Sequence, residues 1–185
     1  MSTLFVNNLN TASGSTITVA SGKALDASNG FTPPAGHLVQ RQSVKFNTAY
    51  TNSSTSFTDI TPATITFTPK FASSLLLITF NMSVNVYTSG TNTNAGGAVK
   101  LLHDGTMLDY NASGNYELYF QNDAGAGTGP NQYVRQVQFA EVAASNTNAR
   151  VIKAQARCYS AVTAGLRINQ AGYYTSFLII EEIAQ

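Results

Sequence analysis

The side chains able to do chemistry are few and scattered. The two histidines, His37 and His103, lie far apart in the chain. His103 is followed by Asp104, a pair in which a carboxylate could orient an imidazole for work as a general base. Gly105 comes next, and Asp-Gly between two alternating segments is first of all a hairpin turn. Asp104 and Asp109 fall on either side of that hairpin, the kind of approach the paired carboxyl groups of a glycosidase need. Nothing aromatic and acidic converges on them, so they read as two exposed carboxylates. Glu181 and Glu182 are neighbours in an extended stretch, point to opposite faces and cannot share a site. The single cysteine, Cys158, allows no intrachain disulfide and reads as a buried thiol among apolar neighbours. No His/Cys/Asp cluster has metal-ligand spacing. The glycine-rich run Gln121–Gln132 lacks the Lys-Ser/Thr of a phosphate loop and reads as a long surface loop. Asn52, Asn81 and Asn111 each open an Asn-x-Ser triplet, a chance match in a chain this rich in Asn and Ser. The expectation is a chain that is not an enzyme, with no catalytic residue, cofactor or metal.

Composition sharpens that expectation. Of 185 residues, 43% are hydrophobic, enough for a real core, while only 10% are charged. A globular chain typically carries ~25% charged residues. The polar surface here is built from Ser, Thr, Asn, Gln and Gly, neutral groups that pair when buried at a subunit contact. The net charge is +1 and the ten basic residues are dispersed, so no nucleic-acid partner is expected. The longest apolar run, Leu75 to Ile78, is far too short for membrane insertion. The opening MSTLFVNNLN has neither a basic stretch nor a long apolar run, so no secretory leader is expected.

The elements that would hold any site are strands. Leu75–Val86 is the organising one: Leu76, Ile78, Phe80, Met82, Val84 and Val86 fall in period-2 register and predict one fully buried face. On its other face Leu75 and Leu77 predict a two-sided buried end, and Thr79, Asn81, Ser83 and Asn85 an exposed one. Further strands are predicted at 38–46, 54–60, 63–68, 98–103, 106–110, 116–120, 132–143, 149–161, 166–169 and 172–184. Pro62 and Pro69 place their strands at edges or ends. The last strand is apolar on both faces and is predicted to be central in its sheet. About ten strands with turn signals every ~8–12 residues predict an all-β antiparallel sandwich or jelly roll.

Residues 1–36 read differently. Ala12-Ser13-Gly14 recurs as Ala20-Ser21-Gly22 and loosely as Ala27-Ser28-Asn29-Gly30, with Ile17 and Leu25 following the first two units. Such short β-repeats bury their apolar residues only against stacked neighbours or sister chains. The expected division is therefore an N-terminal β-repeat collar or anchor, 1–36, and a jelly-roll head, 37–185.

The order of features in the head resembles the C1q/TNF-like jelly roll. Ile65-Thr66-Phe67-Thr68-Pro69 leads into the long strand, a polar-turned hairpin follows at Val99–Leu108, and two long strands meet at a polar turn before 149. The chain closes on Gly172-Tyr173-Tyr174-Thr175-Ser176-Phe177-Leu178-Ile179, like the aromatic last strand of that family. The resemblance implies a homotrimer on a threefold axis. Tyrosines suit such contacts, an apolar ring with a polar tip, and Tyr116, Tyr173, Tyr174 and Phe177 are the expected interface residues. The whole chain also resembles fibre and decoration proteins of tailed phages, marine cyanophages in particular: Met-Ser-Thr-Leu-Phe-Val-Asn at the start and Thr-Ile-Thr-Val-Ala-Ser-Gly-Lys-Ala-Leu at 16–25 are steps of that kind. That resemblance implies a virion structural protein, made in the host cytoplasm. It would join other virion proteins through residues 1–36 and touch a host surface glycan with its head. A carbohydrate-binding β-sandwich with no virion role is the alternative.

Overall fold

The computed structural model describes residues 33–88, 95–108, 118–120, 131–159, 164–170 and 174–185, with the side chains of 118–120, 131, 132 and 164 left out. Residues 33–185 form a compact unit of their own. Its described residues form eleven strands: β1 Leu38–Phe46, β2 Tyr50–Asn52, β3 Thr58–Phe67, β4 Leu75–Thr88, β5 Ala95–His103, β6 Thr106–Met107, β7 Leu118–Phe120, β8 Asn131–Ala143, β9 Arg150–Cys158, β10 Ala164–Ile168 and β11 Ser176–Ile183. No α-helix occurs among the described residues. The fold is the expected all-β antiparallel sandwich, jelly-roll in character.

A six-stranded sheet runs β1-β11-β4-β10-β2, with β8 on the other side of β4. A five-stranded sheet runs β3-β9-β5-β6, with β7 also on β5. Leu76, Ile78, Phe80, Met82, Val84 and Val86 all point between the layers with no exposed surface. They meet Ile65 and Phe67 of β3, Val99 and Leu101 of β5, and Ile152, Ala154 and Cys158 of β9 in one core. The expected buried thiol is thus found. As expected, β11 is central, between β1 and β4.

Strand β4 needs two partners along one edge. β11 covers Leu75–Asn81 and β10 covers Val84–Thr88. Where they part, Ser83 donates its amide to Ser176 Oγ, and Ser176 Oγ donates in turn to Asn169 Oδ1 at 2.7 Å. Asn169, in the left-handed region with φ 55°, donates to the Phe46 carbonyl. Buried polar groups here close the seam between two strand ends.

Several expectations need correction. The two strands foreseen at 54–60 and 63–68 are one strand, β3, which carries Pro62 at a register break between Asp59 and Thr64. A bulge on an edge strand tolerates the missing amide, so Pro62 bends the strand without ending it. The start of β5 reaches back to Ala95, inside the stretch read as loop. On the outer side of β4 the order is reversed: Leu75 and Leu77 are only partly buried, while Ser83 and Asn85 are buried. Asn85 lies between Tyr133 and Arg167 on the adjoining strands, and long neighbours cover short side chains. The Asp104-Gly105 hairpin is as expected, with φ 48° and 85° at the two turn positions.

Candidate subunit-contact face

At the hairpin, the His103–Asp104 pair forms no catalytic hydrogen bond. His103 Nε2 stands 3.8 Å from Asp104 Oδ2, and Asp104 Oδ1 instead accepts the Val151 amide at 2.7 Å, stapling the turn. Burial lowers the His103 pKa; Asp104 pulls it up and Arg150 pushes it down. Arg150 is buried, its guanidinium held by the Asn146 carbonyl and side chain and lying 3.5 Å from His103 Nε2. A polar cavity of about 300 Å³ adjoins this group. Asp109 lies outside the described residues, as do Asn111 and all of 121–130. His37 is exposed just before β1 and lies far from His103 in the sequence. Among the described residues no three His, Cys, Asp or Glu come together as metal ligands.

Glu181 and Glu182 separate as expected. Glu181 faces outward, 3.5 Å from Arg41 Nε. Glu182 is fully buried. It accepts from Gln40 Nε2 at 2.6 Å, from Ser74 Oγ at 2.6 Å, and from the amides of Lys70 and Phe71 at 2.9 Å. Burial pushes its carboxyl up, and the Ser74, Lys70, Phe71 and Gln40 donors together outweigh it, holding the pKa below the usual value. Its task is to fasten the turn before β4.

The outer face of the six-stranded sheet is built differently. Paired residues in an antiparallel sheet share a face, so the strand registers define level rows across β1, β11, β4 and β8. One row is Arg41, Glu181, Leu77 and Glu141; the next is Ser43, Ile179, Thr79 and Phe139; the next is Lys45, Phe177, Asn81 and Val137. Val137 is 57% exposed, Phe139 55% and Tyr133 46%. Tyr133 lies 6.2 Å from the ring of Tyr174, itself 41% exposed. β8 pairs only with β4 among the described strands, so it leaves one long edge uncovered. Along the opposite border runs a groove of about 600 Å³: Arg41, Ser43 and Lys45 form one bank, Arg135 and Tyr174 the other, and Phe177 and Ile179 the floor. The Arg135 guanidinium is 5.8 Å from the Phe177 ring and donates to the Thr175 carbonyl at 2.8 Å.

Of the expected interface residues, Tyr174 and Phe177 share this face; Tyr116 and Tyr173 lie outside the described residues. Val137 and Phe139 went unnoticed in the sequence. Their signal was a second period-2 series, Tyr133, Arg135, Val137, Phe139 and Glu141.

No known protein family matches the chain. No curated protein matches it either. Among solved structures, the structure of the infectious bursal disease virus Gx strain is similar at 14% identity, with 89% of this chain and 41% of that chain covered and a TM-score of 0.28. The infectious bursal disease virus VP2 subviral particle is similar at 13% identity, with 80% and 38% covered and a TM-score of 0.25. The chain thus spans about two-fifths of the length of either. At these TM-scores the likeness carries no argument about this chain.

Proposed function

We propose that this chain is a virion structural protein of a tailed phage, a homotrimeric fibre, knob or capsid decoration. Residues 1–36 attach it to other virion proteins, and the jelly-roll head projects and meets a host surface glycan. One observation carries the reading. The outer face of the six-stranded sheet exposes Val137 and Phe139 together on β8, and carries the half-buried Phe177 and Ile179 two strands away, across Asn81 and Thr79 of β4. Contiguous apolar side chains on one sheet face mark a surface that another protein covers. Support also comes from the strand order, in which β1, β11, β4 and β8 lie in one layer with β10 and β2, and β3, β9, β5 and β7 in the other with β6. That layering agrees with the C1q/TNF-like resemblance, whose members pack as trimers. Weak head contacts repeated three times would give useful avidity.

Light scattering on a sizing column tests the reading. The expected native mass is three times 19.6 kDa. A monomer that holds its mass at all concentrations would overturn it. Incorporation gives the second test: particles assembled with a chain lacking 1–36 are expected to lack the head. The alternative, a free carbohydrate-binding module, draws on the groove, where aromatic Tyr174 and Phe177 sit among Arg41, Lys45 and Arg135. Saturable glycan binding by a monomer would favour it.

A further inference from the structure

We propose that the β8 edge of a second copy fills the basic groove, its Glu141, Phe139 and Val137 seating level with Arg41, Ser43 and Lys45 of β1. The proposal rests on the trimer reading and names the contact that closes it.

Charge complementarity carries the argument. The groove gathers three cations, Arg41, Lys45 and Arg135. Only Arg41 has a carboxylate within ion-pair distance, Glu181. Lys45 forms no ion pair among the described residues, and neither does Glu141 on the far border of the same face. On this face Arg41 and Lys45 stand at the β1 border and Glu141 at the β8 border, with β11 and β4 between them. A second copy can bring Glu141 to that cationic border, where it meets Arg41.

The rows fix how. Rotation about an axis along the strands keeps rows level, so each β8 residue meets the β1 residue of its own row. Glu141 then meets Arg41. Phe139 meets Ser43, the small side chain that leaves room above Ile179, and Val137 lies on the Lys45 stem beside Phe177. A large apolar side chain opposes a small polar one over an apolar floor, and a carboxylate opposes a guanidinium. The face is complementary to itself only in this border-to-border sense, which builds a closed ring.

A disulfide tests the contact in the full chain carrying both Ser43→Cys and Phe139→Cys. Both positions are on the surface, so folding is expected to persist. Within one chain they are three strand spacings apart, roughly 14 Å, and a disulfide needs Cα atoms within ~7 Å. Any bond is therefore between copies. The expected result, on mild oxidation and non-reducing electrophoresis, is a covalent ladder ending at three chains, absent from either single variant. A native trimer with no ladder overturns this contact and leaves the trimer reading standing. An unmodified chain that is itself a monomer, with no ladder from the double variant, overturns both; a monomeric double variant from a trimeric unmodified chain supports the Phe139 contact, because the variant has lost the ring. A ladder ending at two chains, with a dimeric native mass, keeps the contact and overturns the threefold ring. Glu141→Lys, with charge reversed at the contact, is expected to weaken association about tenfold, and less so in high salt. Unchanged association would overturn the Glu141 role.

Discussion

The two outer faces of the sandwich use their charges in opposite ways. On the five-stranded sheet every described cation has an internal use. Lys153 Nζ lies 2.8 Å from Asp59 Oδ2, and Gln155 donates to Asp59 Oδ1 at 2.7 Å. Lys100 and Arg157 stand 4.2 and 4.8 Å from the centre of the Phe57 ring. Threonines 61, 64 and 66 fill the exposed side of β3. Val151 is the one exposed large apolar residue among the described side chains on the strands of that sheet. The six-stranded sheet instead leaves Lys45 and Glu141 unmatched around Val137, Phe139 and Phe177. A chain with so few charges has not spread them evenly. One face uses its charges within the chain; the other leaves border charges without a described ion-pair partner.

The comparison first needs the core shared by both faces to be separable from either. Phe80 has no exposed surface and lies 6.4 Å from the Phe46 ring. Phe80→Asp buries an unpaired carboxylate and removes the ring, a combined loss expected to exceed ~5 kcal/mol. No folded, soluble protein is expected in circular dichroism or on a sizing column. A normal trimer would remove β4 from the centre of the fold.

The two adjacent glutamates put the same contrast into a single step of chain. Glu182→Ala strands the Lys70 and Phe71 amides, while Gln40 and Ser74 keep the Thr68 and Phe71 carbonyls as acceptors, and is expected to cost on the order of 2–4 kcal/mol, read as a fall in Tm. The pH dependence has a definite sign. The carboxyl is held below its ordinary value, so its stabilisation is present at neutral pH. It disappears as pH falls through the lowered folded-state pKa, below the usual carboxylate range. The Tm gap between wild type and Glu182→Gln is therefore expected to narrow in acid. Glu181→Gln, on the outer face, is expected to leave the stability within about 1 kcal/mol of wild type.

Phe139→Asp divides face from core. The residue is 55% exposed in the single chain, so the head is expected to fold normally. Association should weaken by about 2–3 kcal/mol per contact, the transfer value of the lost ring. Sedimentation would read that as dissociation at micromolar concentration. Val151→Asp on the opposite face is the control, with no change in mass expected.

This is also where the sequence was least legible. Period-2 alternation located β4 because its inner face is apolar at every position, and Asp104-Gly105 located a hairpin because two positive φ angles suit those residues. β8 offers no such clue. Its inward series contains Gln136 and Gln138, and its outward series Val137 and Phe139. Alternation shows that two faces exist; only pairing with β4 decides which one is inside. Gln138 can point inward because its amide donates to the Val99 carbonyl of the facing sheet, a partner that no local pattern reveals. The expected contact tyrosines fared similarly. Tyr174 and Phe177 do lie on the open face, but the residues that make it apolar belong to a strand ~40 positions earlier and meet them through β4. The groove cations likewise come from β1 and β8, strands far apart in the sequence, and looked dispersed for that reason.

The smallest expected effect tests the claim that the five-stranded sheet's face uses its charges within the chain. Asp59 is bound to Lys153 and Gln155, and those two hydrogen bonds lower its pKa against a small opposing effect of burial. The group is half-exposed, and water and salt screen it, so Asp59→Asn is expected to cost less than ~1 kcal/mol. Because the pKa is lowered, that small stabilisation is present at neutral pH and fades as pH falls through it, where wild type and variant should converge. Native mass should not change at any pH. A change in mass on losing Asp59 would mean that this face, too, meets a partner, and the contrast between the two faces would no longer locate the subunit contact.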